Sequence, residues 1–144
     1  MRKTIWSLIA TFIIMTGCEK QYLNKIYGDY IITSYTVNEI DSLSLLNDSL
    51  DLHVKLYYED VNYVNRFDIY GPRKDGQFSI LICRWELINH STILNFILAQ
   101  GSYGTGPFGN NIIPEWHLLN LSKKEIKMST NYNNKEYVVI LNKI

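Results

Sequence analysis

The side chains able to do acid–base, nucleophilic or metal chemistry are few and scattered. Three histidines, His53, His90 and His117, lie far apart, with no Cys, Asp or Glu beside them at ligand spacing. A zinc site draws its ligands from short-range pairs of such residues, so no metal site is expected. His53 and His117 fall inside strand-like stretches and suit positions facing solvent. Glu59 and Asp60 are adjacent acids; acid–base catalysis places its two carboxyls across a cleft in unlike environments, whereas neighbours of this kind read as a solvated hairpin tip. Ser122 has no His and acid in a recognisable triad order. Cys83 sits among Ile82, Arg84 and Trp85, lacks an adjacent base, and reads as a small buried hydrophobe rather than a nucleophile. No catalytic residue, cofactor or metal is therefore expected, and the chain is not expected to be an enzyme.

Binding is better represented than catalysis. Residues 101–109 run Gly-Ser-Tyr-Gly-Thr-Gly-Pro-Phe-Gly. Without a Gly-Lys-Ser/Thr ending, and leading into a strand rather than a helix, this is no phosphate loop. Tyr103 and Phe108 within it could cover a cavity or stack on a ligand, because functional loops are carried on rigid frames. The plainer alternative is a surface loop without a ligand. Trp85 and Trp116 could line the same pocket, although large aromatics in strands more often fill a core.

The amino-terminal segment has a chemistry of its own. Arg2 and Lys3 precede an apolar run from Ile5 to Met15, which ends in Thr16, Gly17 and Cys18. That is the three-part plan of a secretory leader; it falls short of the roughly 20 apolar residues that a membrane-crossing helix needs. Met15-Thr16-Gly17-Cys18 resembles the lipobox of bacterial lipoproteins, with Met where Leu is usual. The resemblance implies a diacylglyceryl group on the Cys18 thiol, removal of residues 1–17, and usually acylation of the new amino group. Each buried methylene contributes about 0.8 kcal/mol, so two or three acyl chains hold a protein on a membrane where one is marginal. A plain signal peptide, in which Cys18 is incidental, is the alternative. If Cys18 carries lipid, Cys83 is the only other cysteine and no intrachain disulfide can form.

Without Arg2 and Lys3 the 14 basic residues fall to 12, against 14 acidic ones, a formal charge near minus two. This leaves no basic footprint for nucleic acid. Taking the 17-residue leader from 144 leaves 127 residues, enough for one domain with one core. With hydrophobic residues at 47% and 11 tyrosines, the chain is too apolar for disorder and rich in strand formers.

Alternation supplies the architecture. Leu52, Val54, Leu56 and Tyr58 take every second place, with Asp51, His53 and Lys55 between them, the pattern of a half-buried strand. Val61, Tyr63, Phe67 and Ile69 continue likewise to Gly71-Pro72, read as a breaker, and Glu59-Asp60 is the turn between. Further strands are predicted at Tyr27–Asn38, Gln77–Leu87, Thr92–Leu98, Ile112–Leu121, Glu125–Thr130 and Glu136–Asn142, with a turn at Asn131–Asn134. Only Ile40–Ser49 offers room for a short helix. Residues 18–26 read as a lipidated tether and 27–144 as the domain. Eight strands on short links favour antiparallel neighbours. They predict an all-β fold, either an up-and-down barrel or a two-sheet sandwich, which periodicity does not separate.

Two places resemble the lipocalin-like lipoproteins of Bacteroidetes-type bacteria. Gly28-Asp29-Tyr30 resembles the Gly-x-Trp signature, with Tyr in the place of Trp. Trp116-His117-Leu118, then Leu121-Ser122, Glu125-Ile126-Lys127-Met128 and a last strand through Tyr137, Val139 and Leu141, resembles the family's closing strands. The resemblance implies a calycin barrel closed at one end and, in some relatives, a pocket for a small apolar ligand; it implies no catalytic residues. The expectation is a lipid-anchored, non-catalytic binding domain of the cell envelope for a small hydrophobic or amphipathic ligand, with docking of an envelope protein as the alternative. Glu19, in place of the Asp that retains enteric lipoproteins at the inner membrane, points to the outer membrane.

Overall fold

The computed structural model describes residues 22–46, 53–72, 78–90, 92–101 and 113–144. Residues 22–26 form a helical turn, α1. It is followed by β1 (Gly28–Val37), β2 (Ile40–Asp41), the short helix α2 (Leu43–Leu46), β3 (His53–Glu59), β4 (Val64–Pro72), β5 (Phe78–Ile88), β6 (Ile93–Gly101), β7 (Glu115–Leu121), β8 (Glu125–Tyr132) and β9 (Lys135–Lys143). Each long strand pairs antiparallel with the next, and β1 pairs with β9 from Tyr30↔Lys143 to Val37↔Tyr137. That last ladder closes the sheet into an eight-stranded barrel and excludes the sandwich, in which two separate sheets would leave β1 and β9 as edges.

The alternation places the core. Val54 and Leu56 of β3, Phe67 and Ile69 of β4, Leu81, Cys83 and Trp85 of β5, and Ile126 and Met128 of β8 all point inward and lie out of water. Between them stand Lys55, Arg66, Asp68, Arg84 and Glu86 on the outer wall. A barrel of eight strands has an interior just wide enough for side chains to fill it or for one small ligand. Which of the two applies at each height is therefore decided by the residues at that height.

Several boundaries differ from the sequence expectation. The tether was expected to run to residue 26, but residues 22–26 are helical and Ile26, only 1% exposed, joins the core; the domain therefore starts by Tyr22. Val61 and Tyr63 were expected in β4 but belong to the turn, at 86% and 79% exposed. Glu59 and Val64 form the closing pair of that hairpin, so Glu59 ends a strand rather than making the turn. Gly71 and Pro72 do not break β4; they pair with Ser79 and Phe78 of β5. A proline is tolerated where its missing N–H is not needed by the ladder. The turn expected over Asn131–Asn134 is confined to Asn133 and Asn134, whose φ values of 50° and 58° are those of a two-residue type I′ hairpin, a conformation asparagine accepts.

Candidate binding site

The barrel has two unlike ends. One carries α1 and the turns between β3 and β4, β5 and β6, and β7 and β8, and here the interior is sealed by side chains. Tyr30 is fully buried, and its hydroxyl donates to the Ile26 carbonyl at 2.6 Å, with the Lys25 carbonyl at 3.1 Å. One phenol thus satisfies carbonyls that the end of α1 leaves without helical partners. Burial pushes the Tyr30 phenol up to about 12, so it stays a donor. Lys143 Nζ donates to the Tyr27 carbonyl and lies 5.5 Å from the Tyr30 ring centre, a cation over an aromatic face. Tyr27 in turn donates to Asn65 Oδ1 at 2.6 Å and tilts against Trp85 at 6.2 Å. Gly28 has φ +154°, and a Cβ there would run into the Lys143 side chain; glycine is what lets the chain turn from α1 into β1 so close to β9.

The two tryptophans are both buried in the core, at different places. Trp85, 2% exposed, lies at this end against Tyr27, and its indole N–H donates to the Arg66 carbonyl at 2.9 Å. Trp116, fully buried, stands between Glu115 and His117 at the start of β7, and its indole N–H donates to the Ile113 carbonyl at 3.0 Å. Phe67 and Phe96 meet edge to face at 4.8 Å in the same core, a preferred aromatic geometry.

At the other end the connections are residues 38–52, 73–77, 102–114 and 133–134. Tyr35 and Tyr137 face inward here and stack at 6.4 Å. Burial, with Tyr137 beside it, pushes the Tyr35 phenol up to about 12. Thr130, 5% exposed, and Ile113, 4% exposed, stand near them, and Leu43 of α2 packs against the same core. Among the described residues, the β6–β7 ladder covers Glu115, Trp116 and His117, with Phe96 N–H donating to the Pro114 carbonyl just before it. At the start of β7, Ile113, Pro114, Glu115, His117, Thr130 and Asn131 surround an open groove of about 270 Å³. A small molecule would meet one hydroxyl, a carboxylate, an amide and an imidazole there, with apolar Ile113 and Pro114 beside them.

The remaining sequence candidates separate. Cys18, Tyr103 and Phe108 lie outside the described residues; Tyr103 and Phe108 belong to the connection between β6 and β7, whose last residues, Ile113 and Pro114, line the groove. His53 stacks on Tyr70 at 5.4 Å on the outer wall, His90 sits in an exposed turn, and His117 borders the groove. Among the described residues no group of three or more His, Cys, Asp or Glu could hold a metal ion. Ser122 Oγ accepts the N–H groups of Lys124 and Glu125 at 3.2 and 2.9 Å, which makes it a turn cap. Glu59 accepts from Asn62 Nδ2 at 2.8 Å across the hairpin turn. Burial pushes the Cys83 thiol up to about 12, so at neutral pH it is protonated and inert. Sequence reasoning missed Tyr35, Tyr137 and Thr130. Their alternation marked them as inward-facing, but only the register of β1, β8 and β9 puts all three at the open end.

No family model matches this chain, and no curated protein matches it. Among solved structures, a lipocalin-like protein from Bacteroides uniformis superposes with a TM-score of 0.55 over 83% of this chain and 99% of that one, at 13% sequence identity. The closed antiparallel barrel therefore matches a lipocalin-like fold.

Proposed function

We propose that this lipocalin-like barrel is a non-catalytic binding domain, anchored to the cell envelope by lipid on Cys18, that takes a small hydrophobic or amphipathic molecule at the end bordered by Tyr35, Tyr137 and residues 101–114. The observation that carries this reading is the asymmetry of the barrel: one end buries Ile26, Tyr30 and Trp85, while the other gathers the long connections and the groove at Ile113–Asn131. Pockets of this kind combine apolar lining with a few placed polar groups. Tyr35, Thr130 and Tyr137 would supply the polar groups, and the sequence offers Tyr103 and Phe108 of the following connection as aromatic contacts. The anchor rests on Met15-Thr16-Gly17-Cys18 after an apolar leader; the outer membrane is the assigned compartment.

The test is native mass spectrometry of the full chain isolated from envelope membranes in mild detergent, beside a Tyr103→Ser/Phe108→Ser variant. A co-purified small molecule that the variant loses supports the reading. A chain that carries acyl mass but no ligand, and that binds none of a panel of fatty acids and lysolipids, overturns the ligand. A second reading, docking of an envelope protein, is favoured by the exposure of the groove, whose Pro114, Glu115, His117 and Asn131 lie at the surface. Crosslinking in intact cells to one defined envelope protein through the groove residues would then replace the small molecule.

A further inference from the structure

The sealed end carries a feature that the ligand reading does not use. The turn between β3 and β4, residues 60–63, exposes Val61 at 86% and Tyr63 at 79%, with Tyr58 at 44% on the strand just before it. Single exposed apolar residues need no explanation, but three on one hairpin tip do, because turns of this size are ordinarily polar. Tyr63 also has φ 54°, a conformation that glycine or asparagine adopts freely and a bulky aromatic rarely does. Held there at a cost, its ring meets no partner in the core and points to a use outside the domain.

The tip lies next to the place where the chain enters the domain. Gly28 pairs with Leu56, and Tyr27 donates to Asn65 Oδ1 across from Tyr58 of β3. Tyr22, 39% exposed, opens α1 on the same side. Only four residue steps separate Tyr22 from Cys18, a span of at most about 14 Å for an extended chain. Any acyl chains on Cys18 therefore hold this end within reach of the bilayer surface. Lys123 and Lys124, both exposed in the turn between β7 and β8, face the same way and suit anionic headgroups. Glu59 and Asp60 in the hairpin oppose deep burial and limit the tip to the headgroup layer, where tyrosine is favoured.

We infer that the hairpin tip of Tyr58, Val61 and Tyr63 docks on the anionic phospholipid bilayer that holds the Cys18 lipids, so that the open mouth of the barrel faces away from the membrane. The inference rests on the lipid anchor proposed above and adds to it a fixed orientation. It is tested with the full lipidated chain in phosphatidylethanolamine–phosphatidylglycerol vesicles. One variant carries an environment-sensitive fluorophore on Val61→Cys; the other carries it on Lys135→Cys at the opposite end. Lipids spin-labelled near the headgroup should reduce the fluorescence at position 61 and leave position 135 unchanged. Equal quenching at both positions, or none at 61 on a protein that carries acyl mass and floats with the vesicles, overturns the docking and leaves the anchor standing. Position 61 unquenched, but captured by a photocrosslinker against a second copy of the chain or another envelope protein, overturns it in favour of a protein partner. Absence of acyl mass on Cys18 removes the anchor and the docking together. Adding Tyr63→Asp to the labelled Val61→Cys chain should leave the unfolding midpoint unchanged and reduce the quenching, which separates a surface role from a structural one.

Discussion

The two ends of the barrel are built from the same strands and do opposite things with them. At the sealed end the large side chains meet other protein groups: Tyr30 with the last turn of α1, Trp85 with the Arg66 carbonyl, Lys143 with Tyr30 and the Tyr27 carbonyl. At the mouth the inward residues include Tyr35, Tyr137 and Thr130 beside Ile113, and an open groove adjoins them. The difference teaches that closure of the sheet does not settle whether a barrel is a container. Closure fixes a diameter; the choice of side chain at each height decides whether that diameter is filled.

Truncating one anchor at each end puts the largest strain on this contrast. Trp85→Ala at the sealed end should cost about 3–5 kcal/mol, the range for removing a buried large aromatic from a site that does not collapse. Tyr137→Ala at the half-buried mouth should cost less than half of that. Urea unfolding of both variants measures the ratio; equal losses would mean that the mouth is packed as tightly as the floor. Next in size is Tyr30→Phe, which deletes one hydroxyl and leaves the Ile26 carbonyl without its donor, for a loss of about 1–3 kcal/mol. Its particular signature is faster hydrogen exchange in residues 22–26 than in the strands, because the phenol is what ties α1 down. Uniform acceleration across the barrel would show that α1 contributes no separate closure.

Cys83 sits on β5 between the two regimes, in register with Phe67 of β4 and Ala99 of β6, and reports how far down the mouth reaches. Its thiol is fully buried, with its pKa held near 12, so in the folded chain beginning after Cys18 it should not react with a small thiol reagent at neutral pH. Reaction should appear only at urea concentrations that unfold the barrel. A thiol that reacts in the native state would place the cavity floor below Phe67 and open the middle of the barrel to ligand.

Much of this frame was legible in the sequence because period-two alternation is a local signal. Val54 and Leu56, Phe67 and Ile69, and Ile126 and Met128 named their own inward face, and the segment 40–49 showed room for α2. What alternation does not carry is pairing between distant strands. The β1–β9 ladder joins residues more than a hundred positions apart, and it alone separates barrel from sandwich and brings Tyr35 beside Tyr137. Turn chemistry misled where it was judged by residue type: Gly71-Pro72 continues a strand, and Val61 and Tyr63, apolar and alternating, sit in a turn. Ile26 was hidden for another reason. It lies among polar neighbours, and only the hydroxyl of Tyr30, four residues on, gives so short a helix a reason to dock.

The outer wall supplies the smallest and most specific test, since there an ionised group rather than a cavity is at stake. Asp68 on β4 faces outward and accepts from the Tyr57 hydroxyl at 2.9 Å, while its Oδ1 is shielded from water and has no hydrogen-bond partner among the described residues. Burial raises its pKa above the ordinary carboxylate value; the Tyr57 hydrogen bond and the charges of Arg66 and Lys55 pull against that rise without cancelling it. A carboxyl whose pKa is raised on folding contributes stability below its unfolded pKa and loses that contribution as pH rises through the folded value. At neutral pH, therefore, ionised Asp68 costs the fold a little. Asp68→Asn keeps an acceptor for Tyr57 and removes the charge, so it should raise the urea midpoint at neutral pH. The gain should be about 0.5 kcal/mol or less, because much of the group remains in contact with solvent. In acid, where Asp68 is itself neutral, the two chains should unfold together. A variant less stable than the parent at neutral pH would show that the attraction of Arg66 and Lys55 outweighs desolvation, and that the outer wall, unlike the mouth, uses its polar groups to hold the sheet.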